Sequence, residues 1–234
     1  MIPTEANRPR GRFGPILLSI VLSILATAAA GDSEWGRLVA VALMGATLLL
    51  ILRTAHARPR VRLVAAVVVV LAILASALTA AISDKDLAAW ALPMVGAFLA
   101  LVAPLAIASA LVQQKTVTYQ TVLGALCLYL LAGMFFAFVY TVVGELGEGS
   151  FFVGGHEGQT VDYLYFSFVT LTTTGYGDLV AATDFGRMLA VTEALLGQLY
   201  LVSVVAVLAA NLGRVRGDWR TDLRPDPPDQ KPAE

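Results

Sequence analysis

Cysteine and histidine are nearly missing from this sequence: one Cys and two His in 234 residues. A single cysteine excludes an intrachain disulfide framework, and no Cys/His cluster offers a set of metal ligands. Charge is scarce as well. Asp, Glu, Lys and Arg make up 14% of the chain and 58% of it is hydrophobic, where a soluble domain has about 25% charged and about 45–50% apolar residues. The net charge of −1 points to no partner, because the charges are segregated along the chain. Nothing suggests a nucleic-acid surface. Cys127 lies alone in an apolar run and reads as a packing residue.

The apolar residues collect in uncharged runs long enough for a bilayer, which takes roughly 20 residues of helix. Six spans are expected: 13–30, 36–52, 61–82, 87–112, 119–143 and 185–212. The second is the shortest. Pro93 and Pro104 are expected to kink the fourth. The basic start, apolar core and small residues at 26–31 of the first run also fit a cleavable signal peptide. The run is long for one and is read as a helix.

Lys and Arg set the orientation. Arg8, Arg10, Arg12, Arg53, Arg58, Arg60, Arg62, Lys115, Arg214, Arg216, Arg220, Arg224 and Lys231 fall on one side if both termini are cytoplasmic. Arg37, Lys85 and Arg187 fall on the other, with Asp32, Glu34, Asp84, Asp86, Glu145, Glu148, Glu157 and Asp178. The expected organisation is a cytoplasmic tail (1–12), a four-helix membrane bundle (13–115), a pore domain (116–213) and a proline-rich cytoplasmic tail (214–234). The location implied is the plasma membrane.

Between the last two spans, residues 144–160 are Gly-rich and acidic, a surface loop. Residues 161–172 are apolar and aromatic but too short to cross. With Thr160 as a candidate N-cap and Asp162 in the first turn, they read as a re-entrant half-helix whose partly negative C-terminus favours a cation. Then comes Thr170-Leu171-Thr172-Thr173-Thr174-Gly175-Tyr176-Gly177-Asp178. Gly175 and Gly177 permit backbone angles other residues reach only with strain. Irregular backbone at membrane depth is tolerated where it is buried in protein or lines a water-filled path.

This segment resembles the signature of potassium channels, T-x-x-T-V-G-Y-G-D, with Thr174 in place of the usual Val. The resemblance covers about residues 119–212 and is specific there. It implies an all-α membrane protein in which four identical chains form a homotetramer around one filter. The carbonyl oxygens of Thr173, Thr174, Gly175 and Tyr176, with the Thr173 hydroxyl and the backbone at Gly177, would replace the hydration shell of K⁺. That is the established selectivity device of the family. Filter support would come from Asp178, Tyr165, Phe166, Val169 and Thr170, with Tyr176 turned outward against Tyr165 and Phe166. The partners implied are K⁺, membrane lipids and further copies of the chain. No cofactor and no catalytic residue is expected.

The sequence departs from the family at three places. Thr174 adds a hydroxyl that needs a partner behind the filter. Many relatives carry Trp at the position of Phe166, bonded to the closing acid. Phenylalanine has no donor, so Asp178 must bond elsewhere, to Tyr165 or a neighbouring subunit, and a filter prone to closing under sustained opening is expected. Some relatives carry Glu at the position of Val169.

In the sixth span Gly197 is a candidate hinge or a close-packing site. Glu193 is the one ionisable residue deep inside any span, a functional-site hypothesis by default, and Gln198 adds a second polar group. The fourth span contains no Lys or Arg, whereas voltage sensing needs several at regular spacing. An Arg-rich voltage sensor is therefore not expected. His56 and His156 read as solvated. A weakly selective cation channel and a K⁺ transporter subunit are the alternatives. The single full signature argues against the transporter, which chains four looser ones.

Overall fold

The computed structural model describes residues 13–30, 45–51 and 118–222, together with isolated helical positions between 42 and 107. Four helices are delimited: α1 (Phe13–Ala30), α2 (Tyr119–Leu146), α3 (Thr160–Leu171) and α4 (Asp184–Asp222). Among the described residues, α2 and the Asp184–Val207 part of α4 are each long and apolar enough to cross a membrane. The expected third and fourth spans lie largely outside the described residues, and about half of the second does.

α2 starts where Thr118 caps it, its N–H bonded to the Thr121 hydroxyl at 3.0 Å. No proline or charge interrupts it before Glu145, and it stops at Gly147. α3 is 12 residues long, about 18 Å of helix, too short to cross. Gln159, not Thr160, precedes its first turn, and the Asp162 carboxylate reaches back to the Gln159 N–H at 2.9 Å. Thr160 is the first helical residue, and the returning Asp162 carboxylate satisfies the Gln159 N–H just before it. α4 begins with the Gly186 N–H on the Thr183 hydroxyl at 3.1 Å. It continues to Asp222, past the expected end at 212, because no proline occurs before Pro225.

Two cores hold these helices. The first joins Phe13, Ile16 and Ile20 of α1 to Cys127, Leu131 and Met134 of α2, with Leu48, Ile51, Val69 and Ile107 packed in. The N-terminal helix therefore packs directly on α2. The second core is aromatic. Phe136 and Tyr140 of α2, Phe151 and Phe152 of the loop, and Tyr163 and Phe166 of α3 contact one another edge-on or tilted. It seats α3 against α2. The loop in turn grips the segment after the strip. Val153 N–H donates to the Val180 carbonyl at 2.9 Å and Ala182 N–H to that of Phe151 at 2.8 Å.

α4 meets α3 at a close crossing. Gly197 is buried, and a Cβ there would overlap the Leu171 carbonyl oxygen at the end of α3. A small residue is required for that approach, as between membrane helices generally. We predict that Gly197→Ala pushes α4 off α3 and destabilises the fold by about 1–3 kcal/mol. Thermal denaturation of the purified protein in detergent reads this, and an unchanged midpoint would refute it.

Candidate functional site

The strip after α3 has an alternating backbone. φ is positive at Thr173 (56°), Gly175 (56°) and Gly177 (80°). Thr174 and Tyr176 between them are not positive. Thr173 is the one non-glycine residue with positive φ among the described residues. Alternation between right- and left-handed conformations turns successive N–H groups to one side of the chain, and hence the carbonyls to the other.

The N–H side is occupied by the end of α3. Thr173 N–H donates to the Thr170 carbonyl at 2.9 Å. Thr174 N–H and Gly175 N–H both donate to the Val169 carbonyl, at 2.9 and 3.3 Å. The last turn of a helix leaves four carbonyls without helical partners. Here Phe168 takes the Thr172 N–H and hydroxyl, Val169 and Thr170 take the strip, and Leu171 takes the Tyr129 hydroxyl from α2 at 3.0 Å. The strip is thus the C-terminal cap of α3. Residues 172–178 are otherwise exposed in the single chain.

The side chains sort to the same plan. The Thr174 hydroxyl lies 2.9 Å from that of Thr172, so its hydrogen bond is made beside α3. The Thr173 hydroxyl donates to the Thr172 carbonyl at 2.7 Å. Tyr176 stacks on Tyr165 of α3, with ring centroids 6.4 Å apart and planes 7° from parallel. Phe166 instead joins Tyr140, Phe151 and Phe152 in the aromatic core. It points inward because it is a buried, wholly apolar ring.

Asp178 closes the strip and accepts a hydrogen bond from the Tyr165 hydroxyl at 2.8 Å. The donor that Phe166 lacks therefore comes from the neighbouring residue of α3. Tyr165 is one of the two partners expected for Asp178 in place of a Trp donor. Outside the strip, the His156 ring sits 2.9 Å from Asp162, tying the loop to the start of α3.

Behind the strip lies a polar group that the sequence marks at one end only. Glu193 of α4 is fully buried. Its carboxyl takes the Tyr140 hydroxyl on Oε2 at 2.6 Å, and Oε1 lies 2.6 Å from Ser167 Oγ of α3. Ser167 Oγ is also 2.7 Å from the Gly133 carbonyl of α2. Glu193 and Gly197 are one turn apart on α4, as Ser167 and Leu171 are on α3, so the two helices meet along matching stripes. Gln198 is exposed. Tyr129, Tyr140 and Ser167 escaped sequence reading. The available signal was a hydroxyl inside an otherwise apolar helix, which in a membrane needs a partner.

The Tyr165 hydroxyl, as the largest influence, holds the Asp178 carboxyl below the ordinary carboxylate value, with the backbone N–H groups of Asp178 and Leu179 assisting. A lowered value in the folded state means a contribution present at neutral pH and lost as acid protonates Asp178. Tyr165→Phe removes the donor, so Asp178 is expected to titrate at higher pH in that variant. An NMR titration of the Asp178 carboxyl carbon checks it, and identical curves in the two proteins would count against the hydrogen bond.

No curated protein and no solved structure matches the chain. A family model described as "Ion channel" matches residues 124–214, less than half of the chain but all of the segment from near the start of α2 through the strip and along α4. The match supports an ion channel, and with it a membrane protein that is not an enzyme.

Proposed function

We propose that the chain is one quarter of a homotetrameric channel that passes K⁺ passively through main-chain oxygens. The observation that carries this reading is the alternating strip Thr173–Gly177, whose first three N–H groups end on α3, an arrangement that suits carbonyls turned to the opposite side. A K⁺ ion sheds its water only where oxygens replace it on all sides, and one strip offers oxygens from one direction. Four copies around an axis complete the shell. α3 is re-entrant and its C-terminal end aims partial negative charge at the ion path.

Two features support assembly. The strip is exposed in the single chain, and α4 leaves Met188, Val191, Leu195, Leu199, Val202 and Val205 exposed along its length. Apolar side chains on that scale suit lipid and neighbouring copies. Thr173, Thr174, Gly175, Tyr176 and Gly177 form the ion path. Asp178, Tyr165, Val169 and Thr170 hold it in place, and Phe166 holds α3. The first four spans form a peripheral bundle without voltage-sensing charges, both termini are cytoplasmic, and the membrane is the plasma membrane.

Liposome flux with the purified protein tests the reading: K⁺ efflux blocked by Ba²⁺, without Na⁺ flux, is expected. Equal K⁺ and Na⁺ flux would refute selectivity. Because the Thr174 hydroxyl is bonded beside α3 at Thr172, Thr174→Val is expected to keep the K⁺ over Na⁺ preference within about twofold, well under the tenfold that 1.4 kcal/mol would give. A large gain in selectivity would show that the hydroxyl acts on the ion.

A further inference from the structure

The buried group behind the strip can be read by counting protons. Three short oxygen–oxygen contacts run in a row: Gly133 O to Ser167 Oγ at 2.7 Å, Ser167 Oγ to Glu193 Oε1 at 2.6 Å, and Glu193 Oε2 to the Tyr140 hydroxyl at 2.6 Å. Each distance is that of a hydrogen bond, so each needs a proton between its oxygens. A carbonyl has none to give. Serine and tyrosine hydroxyls have one each. Two hydroxyl protons cannot fill three contacts. The Gly133 carbonyl can be served by Ser167 alone in this row, and Glu193 Oε2 by Tyr140 alone. The contact left over lies between Ser167 Oγ and Glu193 Oε1, and the group with a proton to offer there is the carboxyl itself.

The surroundings agree. Glu193 is fully buried, and no ion pair of Glu193 occurs among the described residues. An isolated carboxylate in such a place is costly, whereas a neutral acid with all its partners satisfied is not. We propose that Glu193 is held as a neutral carboxylic acid whose Oε1–H donates to Ser167, which relays the bond to Gly133, while Oε2 accepts from Tyr140. Glu193 is then a positioning residue. Its proton chain ties α4 to α3 and α2 one turn from the Gly197 crossing, and so sets where α3 presents its last carbonyls to the strip. It touches no ion.

The test is infrared difference spectroscopy of the full chain in lipid bilayers at neutral pH, wild type minus Glu193→Gln. A protonated-carboxyl C=O band present in wild type and lost in the variant is expected. Loss of carboxylate bands instead would overturn the proposal. If Glu193→Gln does not assemble, Tyr140→Phe reads the same group. The carbonyl at Oε2 then loses its donor, and the band is expected at higher frequency. A band that stays in place, or is missing, overturns the assignment. The readout is independent of which ion crosses, so it stands or falls separately from the potassium reading.

Discussion

A backbone strip that is neither helix nor sheet has no partners of its own for its N–H groups. In hydrocarbon that deficit costs several kcal/mol per group. Everything around Thr173–Gly177 answers it. The first three N–H groups of that region end on the Val169 and Thr170 carbonyls, which the end of α3 would otherwise leave unpaired. Two deficits cancel each other, and the arrangement fixes the direction of what remains. In the proposed pore the carbonyl oxygens face away from α3, because the N–H groups of Thr173, Thr174 and Gly175 face it. In the proposed pore, selectivity thus begins with the capping of a short helix.

That places the demand on α3. Twelve residues are marginal as an isolated helix, so its position comes from tertiary contacts. Phe166 and Tyr163 anchor it in the aromatic core, Tyr129 caps Leu171, and Gly197 lets α4 approach the same carbonyl. Glu193 adds a different kind of contact. Buried polar groups rarely stabilise more than apolar ones of similar size. Hydrogen bonds, however, are directional, and this set is satisfied in one register of α3 against α4. On that argument its contribution is alignment more than net stability.

What was legible in the sequence follows from how local each signal is. The glycine spacing of the strip and the shortness of α3 are written in consecutive residues, and α2 begins where the apolar run begins. Tyr165 as the partner of Asp178 was one of two options, because the residues are 13 apart and flank the strip. The Tyr129–Leu171 and Tyr140–Glu193 bonds join residues 42 and 53 apart, and no periodicity carries such pairings. Phe166 was misplaced because an aromatic next to Tyr165 could face either the strip or the core, and burial decided it. The sixth span was read from hydropathy, which marks the edge of a membrane and not the end of a helix, so α4 continues beyond it to Asp222.

Thr173 shows how the strip is kept in its unusual shape. A left-handed non-glycine residue costs roughly 1–2 kcal/mol. The three N–H bonds to α3 each return about 1 kcal/mol net, enough to offset it but not by much. The outer end therefore matters. Asp178 on Tyr165 and the two backbone bonds between the loop and residues 180–182 fix the chain just beyond the last glycine. A strip of five residues tethered at both ends cannot relax Thr173 without releasing one tether. A strip tethered at α3 alone could. The exposed Tyr165–Asp178 contact, weak by itself, thus adds an outer tether to the bonds at α3 that hold Thr173 in its left-handed conformation.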